Sequence, residues 1–244
     1  MLVKQKIKYI QSLGQKKFRG EEGLFIAEGP KLVKELLEAS PAEIKEIYAV
    51  KDWIDDNKGL VKNISTIEVT VSELQRISQL TTANQALAVV QQYEIIVPVT
   101  VSDRITLALD TIQDPGNMGT IIRIADWFGI SQIVCSHDSA DIYNPKVVQS
   151  TMGSIARVKV HYADLDEWLG SQKDIRIYAA SLEGEDIALV KKIKEGIIVI
   201  GNESKGISHS IMNLANVKIT IPKKGKAESL NAAIATGIML SHIC

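Results

Sequence analysis

The second half of the chain carries six short apolar-rich runs, Ile105–Leu109, Gln132–Cys135, Val158–His161, Ile175–Ala179, Ile197–Ile200 and Lys218–Ile221, of which all but Val158–His161 and Lys218–Ile221 are nearly continuously apolar. A strand with one wetted face alternates apolar and polar residues, whereas a strand buried on both faces does not. These runs are therefore expected to form a parallel sheet. The stretches between them, Met118–Phe128, Pro145–Ser150, Leu165–Gly170, His209–Leu214 and Leu230–His242, suit helices covering both faces. The expected fold class is α/β.

The first half alternates less regularly. A basic helix is expected over about Val3–Leu13, a strand over Leu24–Ala27, and a helix over Pro30–Ala39 with proline at its first position. Strand Ile44–Val50, a short helix near Trp53, strand Ile64–Val69, a helix after a Ser72 cap and strand Ala86–Gln91 follow. The apolar segment Ile95–Val101 around Pro98, then Ser102-Asp103-Arg104, separates this module from the next strand. The expected division is a smaller α/β domain over 1–97, a linker over 98–104 and a larger α/β domain over 105–244.

Three polar, glycine-bearing turns directly follow apolar runs of the larger domain: Gln113-Asp114-Pro115-Gly116-Asn117-Met118-Gly119, Gly201-Asn202-Glu203-Ser204-Lys205-Gly206, and Ile221-Pro222 leading to Glu228-Ser229-Leu230-Asn231. Turns at several strand ends along one edge of a parallel sheet are where such folds bind ligands. The first is also an ordinary strand-to-helix turn, in which Asn117 would serve as a helix cap, and Ser229 would suffice as a cap in the third. That plainer reading leaves Arg123 unexplained, two turns into an apolar helix, where arginine either snorkels, pairs with a carboxylate or grips a phosphate. The second turn lacks both the Lys-Ser/Thr ending of a phosphate loop and the spacing of a dinucleotide turn. His137, His161, His209 and His242 show no metal-ligand spacing, and no serine or cysteine sits in a nucleophile motif. Trp53, Trp127 and Trp168 are isolated and are expected to pack helices.

A net charge of −1 argues against a dedicated nucleic-acid coat, but charge is locally uneven. Lys4, Lys6, Lys8, Lys16, Lys17 and Arg19 crowd the first 20 residues without an acidic residue, and Lys223, Lys224 and Lys226 adjoin the third turn. Both clusters suit phosphate binding as well as plain solvation. Lys191, Lys192 and Lys194 are expected to be a solvated helix face. Two cysteines without a pairing framework fit a reducing compartment, and no apolar run approaches a membrane span, so the expected location is cytoplasmic.

In order and spacing the three turns resemble the motifs of the SpoU (TrmH-like) RNA methyltransferases of the SPOUT superfamily: Asn117-x-Gly119-x-x-x-Arg123, Gly201-x-Glu203-x-x-Gly206, and Ile221-Pro222 with Ser229-Leu230-Asn231. Ser139-Ala140-Asp141, Tyr143-Asn144-Pro145-Lys146-Val147-Val148 and Met152-Gly153-Ser154 extend the similarity. So do Lys17-Phe18-Arg19 and Leu24-Phe25-Ile26-Ala27-Glu28-Gly29 in the first half, which resemble the family's substrate-binding module.

The resemblance implies a catalytic domain with a deep trefoil knot and an N-terminal α/β/α substrate-binding domain. It implies transfer of a methyl group from S-adenosylmethionine to a ribose 2′-hydroxyl in structured RNA, with 23S ribosomal RNA favoured over transfer RNA. Backbone around Gly201, Gly206, Ile221 and Leu230 would hold the cofactor. Asn117, Arg123, Glu203, Ser229 and Asn231 would form the catalytic set, and Lys17, Arg19 and Lys146 would contact RNA. The implied enzyme is a homodimer in which one subunit's arginine completes its partner's site, with no metal, membrane or DNA partner. A guanidinium that loses its proton only above about pH 12 suits a phosphate clamp better than a general base. Gln149 stands where relatives often carry arginine, Ala232-Ala233-Ile234-Ala235 replaces a commoner Val-Ser-Val-Ala, and Lys223-Lys224 is more basic than usual. A transfer RNA methyltransferase, a non-catalytic RNA-binding protein and a generic Rossmann-like nucleotide enzyme remain as alternatives.

Overall fold

A computed structural model describes residues 2–94 and 99–244. Contacts divide the chain into two units, Met1–Glu94 with Asp141–Arg157, and Ile95–Ala140 with Val158–Cys244. The 141–157 stretch thus leaves the second unit's sequence and packs within the first. The expected end of the first domain at 97 and the start of the linker at 98 fall outside the described residues. Val99 and Val101, within the expected linker, pack into the core of the second unit.

The first unit is built on a four-stranded sheet of β1 (Leu24–Glu28), β2 (Ile44–Ala49), β3 (Thr66–Glu68) and β4 (Ala86–Gln91), in the order β1-β4-β2-β3. β4 runs antiparallel to both its neighbours, and β2 and β3 are parallel. Side-chain alternation sorts the two faces. Phe25, Ala27, Ala86, Ala88 and Val90 join Leu32, Val33 and Leu36 of the helix Pro30–Ala39 in one cluster, which Val148 and Ile155 also enter. Ile26, Leu87 and Val89 face a second cluster with Ile7, Ile10 and Leu13 of the N-terminal helix and Leu74 and Ile77 of the helix Val71–Ile77.

Thr70, not Ser72, caps the helix Val71–Ile77: its hydroxyl accepts from Glu73 N at 3.2 Å while the Glu73 carboxylate accepts from Thr70 N at 3.1 Å. This reciprocal box outcompetes a lone serine inside the first turn. A further helix, Lys16–Glu22, ends at Gly23 in the left-handed region with φ 64°.

The second unit holds a six-stranded, wholly parallel sheet of β5 (Ile105–Leu109), β6 (Gln132–Ser136), β7 (Lys159–Ala163), β8 (Ile177–Asp186), β9 (Gly196–Ile200) and β10 (Val217–Thr220), ordered β10-β8-β9-β5-β6-β7. The apolar runs became strands because helices bury both faces. β8 runs beyond its expected end at Ala179. Its register against β10 jumps from Lys218↔Ala179 to Ile219↔Glu185, so residues 180–184 bow out between two paired stretches. Lys191, Lys192 and Lys194 lie in an irregular segment rather than a helix. Trp127, expected to pack helices, ends the helix Pro115–Trp127 with 84% of its surface exposed. Among the described residues no helix is long and apolar enough to cross a membrane.

Candidate active site

β5 and β9 are neighbours, but the chain leaves β5 toward β6 and leaves β9 toward the opposite edge. Loops that part in this way open a crevice at the carboxyl ends of the strands. The first two sequence turns leave from these two strand ends, and the third follows β10 on the same edge.

In the first turn the helix cap is Asp114, whose Oδ1 accepts from Asn117 N at 2.8 Å, with Pro115 in the first helical position. The capping role suggested for Asn117 is therefore taken by another residue, and the Asn117 side chain is free for other bonds. Its Nδ2 donates to the Glu203 carboxylate, and its Oδ1 accepts from Asn231 Nδ2 at 2.8 Å. Asn231 also caps the C-terminal helix Ala232–Ile243, its Oδ1 accepting from Ala233 N at 3.0 Å and Ile234 N at 3.2 Å. Ser229 is thus not the cap. It lies exposed in the loop without a partner among the described residues.

The second turn closes on itself. Asn202 N donates to Gly206 O at 3.0 Å and Gly206 N to Asn202 O at 2.8 Å. Asn202 Oδ1 accepts from Ser204 N at 2.9 Å and Lys205 N at 3.1 Å. This packing explains Gly201: a Cβ there would lie 2.4 Å from the Gly206 carbonyl carbon and the Ile207 nitrogen. Gly206 has open space around it but holds a φ of +70°, which side chains resist.

Ile221 is half-buried, and residues 222–230 are exposed. Their backbone groups find no partner among the described residues. Leu230, 45% exposed, adds an apolar surface there. This donor and acceptor set fits an adenine edge read by main chain, and the apolar side chains fit the rest of a nucleoside sulfonium. The residues present therefore suit S-adenosylmethionine.

Arg123 stands apart from the Glu203–Asn117–Asn231 chain. It is exposed, has no partner among the described residues, and shares one helix face with exposed Thr120 and Trp127 at three- and four-residue spacing. Asn202 carries no role in the sequence motif, although an asparagine directly after a glycine is a known turn-former. The motifs likewise leave out residues 181–184 at the end of β8, which lies between β9 and β10. There Leu182 is exposed, its carbonyl accepts from Thr220 Oγ1 at 3.3 Å, and a Cβ on Gly184 would lie 2.5 Å from Lys218 O. The signal was present, since Gly184 follows an apolar run as the other turns do.

The proposed RNA contacts all belong to the first unit. Lys17 is exposed, 3.9 Å from Glu21, and Lys146 is exposed one residue into the helix that Asn144 caps. Arg19 requires correction. Only 2% of it is exposed: Nη2 donates to Asp141 Oδ2 at 2.6 Å, and Nη1 donates to the carbonyls of Leu13 at 3.1 Å and Gly14 at 2.8 Å. A guanidinium spent inside the fold is a structural strut and presents nothing to RNA.

Residues 104–241 match the model of the SpoU rRNA Methylase family. The chain belongs to that family. Residues 4–88 match the MRM3-like substrate binding domain. The chain is 30% identical over 242 residues to the 23S rRNA (guanosine(2553)-2′-O)-methyltransferase RlmP of Bacillus subtilis, covering 98% of this chain and 96% of that protein. An AdoMet-bound rRNA methyltransferase from Sinorhizobium meliloti superposes with a TM-score of 0.86 at 30% identity, over 99% of this chain and 95% of the other. The SpoU methyltransferase AviRb from Streptomyces viridochromogenes, in complex with AdoMet, shares the fold with a TM-score of 0.84 at 24% identity, over 98% and 97% of the two chains. In this SpoU family member the three motifs therefore lie along one sheet edge, and side-chain amides join them.

Proposed function

We propose that this protein is an S-adenosylmethionine-dependent RNA methyltransferase that modifies a ribose 2′-hydroxyl, with 23S ribosomal RNA as its substrate. The observation that carries the reading is the hydrogen-bonded chain from Glu203 through Asn117 to Asn231, which ties three family motifs into one site. Bound S-adenosylmethionine supplies an electrophilic methyl group. Backbone around Gly201, Gly206, Ile221 and Leu230 would hold it, with the bowed residues 181–184 between β9 and β10 on the same sheet edge.

A ribose hydroxyl attacks only when it is aligned and can shed its proton. Asn117 fixes Glu203 by donating to its carboxylate, and the remaining carboxylate lone pairs accept from the hydroxyl and carry its proton toward water. Ser229 and Asn231 border the same space. Arg123 grips the phosphate next to the target ribose as a bidentate clamp.

The reading extends to assembly. Arg123, Thr120 and Trp127 form an exposed strip on one helix, and Ile234 is 56% exposed on the C-terminal helix. An exposed tryptophan beside an arginine without a partner among the described residues, with an exposed isoleucine on the C-terminal helix, supports a homodimer in which Arg123 serves the partner's site. Family membership further supports a deep C-terminal trefoil knot in the catalytic domain. The proposed division is a first domain over 1–97, a linker over 98–104 and a second domain over 105–244, with Lys17 of the first domain and Lys146 of the 141–157 stretch that packs in the same unit on the RNA-facing side, and a cytoplasmic location.

The test is transfer of labelled methyl from S-adenosylmethionine to unmodified ribosomal and transfer RNA. Label in 23S RNA that maps to a ribose and disappears with Arg123→Ala supports the reading. Label confined to transfer RNA would overturn the substrate, and cofactor binding without transfer to any RNA would overturn the activity.

A further inference from the structure

Behind the catalytic chain lies a second polar network, centred on Thr111 at the end of β5. Thr111 has a φ of +59°, in the left-handed region that β-branched residues avoid, so its surroundings must hold it there. Its amide donates to Ser136 Oγ at 2.8 Å. Its single hydroxyl proton faces two carboxylate oxygens, Asp110 Oδ1 at 3.0 Å and Asp138 Oδ2 at 3.1 Å. Ser136 Oγ in turn donates to Asp138 Oδ1 at 2.6 Å and lies 3.1 Å from Ser139 Oγ, which accepts from Ile112 N at 3.2 Å.

The backbone of this strained residue reaches the second turn. Thr111 O accepts from Asn202 Nδ2 at 2.9 Å, at the start of the turn that carries Glu203. Buried Asp110 uses its other oxygen to accept from Ser208 N at 2.7 Å, at the end of the same turn. Two adjacent residues just past the end of β5 therefore hold both ends of the Glu203 turn. The direction of the Thr111 carbonyl, and with it the bond to Asn202, depends on a conformation that the side chains of Asp138 and Ser136 maintain.

We propose that Asp110 and Thr111 form a two-point clamp on the Asn202–Ser208 turn, and that Asp138 and Ser136 are positioning residues that set this clamp and thereby aim Glu203 during methyl transfer. None of the four touches the reacting atoms. Their effect reaches the reaction through Asn202. The part of the proposal that concerns catalysis rests on the methyltransferase reading above, whereas the clamp itself does not.

The test combines hydrogen exchange of the full chain with steady-state methyl transfer. Asp138→Ala and Thr111→Val should each raise amide exchange across Asn202–Ser208 about tenfold, because the bonded amides of Ser204, Lys205, Gly206 and Ser208 lose their fixed frame. Both should lower kcat about tenfold or more, with KM for RNA within about twofold, since loss of aim costs rate rather than affinity. Thr111→Ser keeps the hydroxyl and should restore wild-type exchange and kcat, which a general loss of fold would not allow. Unchanged exchange in Asp138→Ala and Thr111→Val overturns the clamp. Raised exchange with unchanged kcat overturns the positioning role. If the wild-type protein methylates no RNA, raised exchange in the variants still supports the clamp while the methyltransferase reading fails on its own.

Discussion

Asn231 donates its side-chain amide to Asn117 Oδ1 at 2.8 Å, across 114 residues of sequence, while its own Oδ1 caps the C-terminal helix. One side chain thus caps a helix and joins the proposed catalytic chain with different atoms, and substitution can separate the two. Asn231→Asp keeps the capping oxygen but sets a carboxylate against the Asn117 carbonyl oxygen. It should leave the melting temperature nearly unchanged and remove most methyl transfer. Asn231→Ala should lose both, with about 1 kcal/mol of stability gone with the cap. Thermal melts alongside the methyl-transfer assay separate the two. Equal activity in Asn231→Asp and the wild type would dismiss the bond to Asn117 as incidental.

Gly201 and Gly206 both shape the second turn, but for unlike reasons. A methyl group on Gly201 meets backbone at 2.4 Å and must break the Asn202–Gly206 pairing. One on Gly206 meets nothing within 4 Å and only strains a φ of +70°. The second strain costs about 1–2 kcal/mol and can stay local. Calorimetric titration with S-adenosylhomocysteine should therefore show binding abolished in Gly201→Ala and weakened about tenfold in Gly206→Ala. The reverse order would place the cofactor elsewhere.

Arg19, in a basic stretch that suits RNA contact, is a buried strut to Asp141. Removing one partner of a buried pair strands the other, at a cost of about 3 kcal/mol. Arg19→Ala should therefore lower the urea midpoint strongly while leaving the salt dependence of RNA binding unchanged. Lys17→Ala should do the opposite: stability is kept, and the slope of log affinity against log salt falls by up to about one unit. A drop in slope for Arg19→Ala at full stability would make Arg19 an RNA contact.

Much of this molecule was legible from periodicity. The apolar runs of the second half became the parallel sheet, and the helices Pro30–Ala39, Leu165–Gly170 and His209–Leu214 lie where their spacing put them. What failed depended on partners distant in sequence. Arg19 looks like any basic residue in a basic stretch until Asp141, 122 residues away, is packed against it. Trp127 reads as core by type, yet its helix turns it outward. The three motifs were visible as turns, but the bonds from Asn117 to Glu203 and Asn231 exist only once β5, β9 and the C-terminal helix are assembled. Thr111 carries no sequence mark of its left-handed backbone, because the side chains that hold it there come from β6 and the turn after it.

Glu28 lies at the end of β1 with 5% of its surface exposed, accepting from Ser78 Oγ at 2.5 Å and Gln79 N at 2.7 Å. Burial raises its carboxyl above the ordinary range, and the two hydrogen bonds only partly oppose that. A carboxyl raised in the folded state favours folding below its unfolded value, and that contribution disappears as pH rises through the folded value. Glu28→Gln can still accept from Gln79 N and can donate to Ser78 Oγ, but it carries no charge to desolvate. Relative to the wild type, this variant should gain stability as pH is raised from about 4 toward 7. Urea midpoints across that range measure the difference, and a constant offset would show that Glu28 titrates normally.

Trp127 is exposed on the helix face that also carries Arg123, one turn away. A solvated indole costs free energy unless something covers it, and a second copy covers it in the homodimer proposed here. Trp127→Ser should shift sedimentation from dimer toward monomer while leaving the thermal unfolding of each chain's core intact. The same geometry allows complementation. Arg123→Ala destroys the partner's site and Asn117→Ala destroys the chain's own, so each variant alone is inactive. Mixed after exchange of subunits, a heterodimer of the two keeps one complete site, with Asn117 from one chain and Arg123 from the other. Random mixing yields half heterodimers with half of their sites intact, so about a quarter of wild-type activity should return. If Arg123 serves its own chain's site, every site in the mixture lacks one residue, and no activity returns.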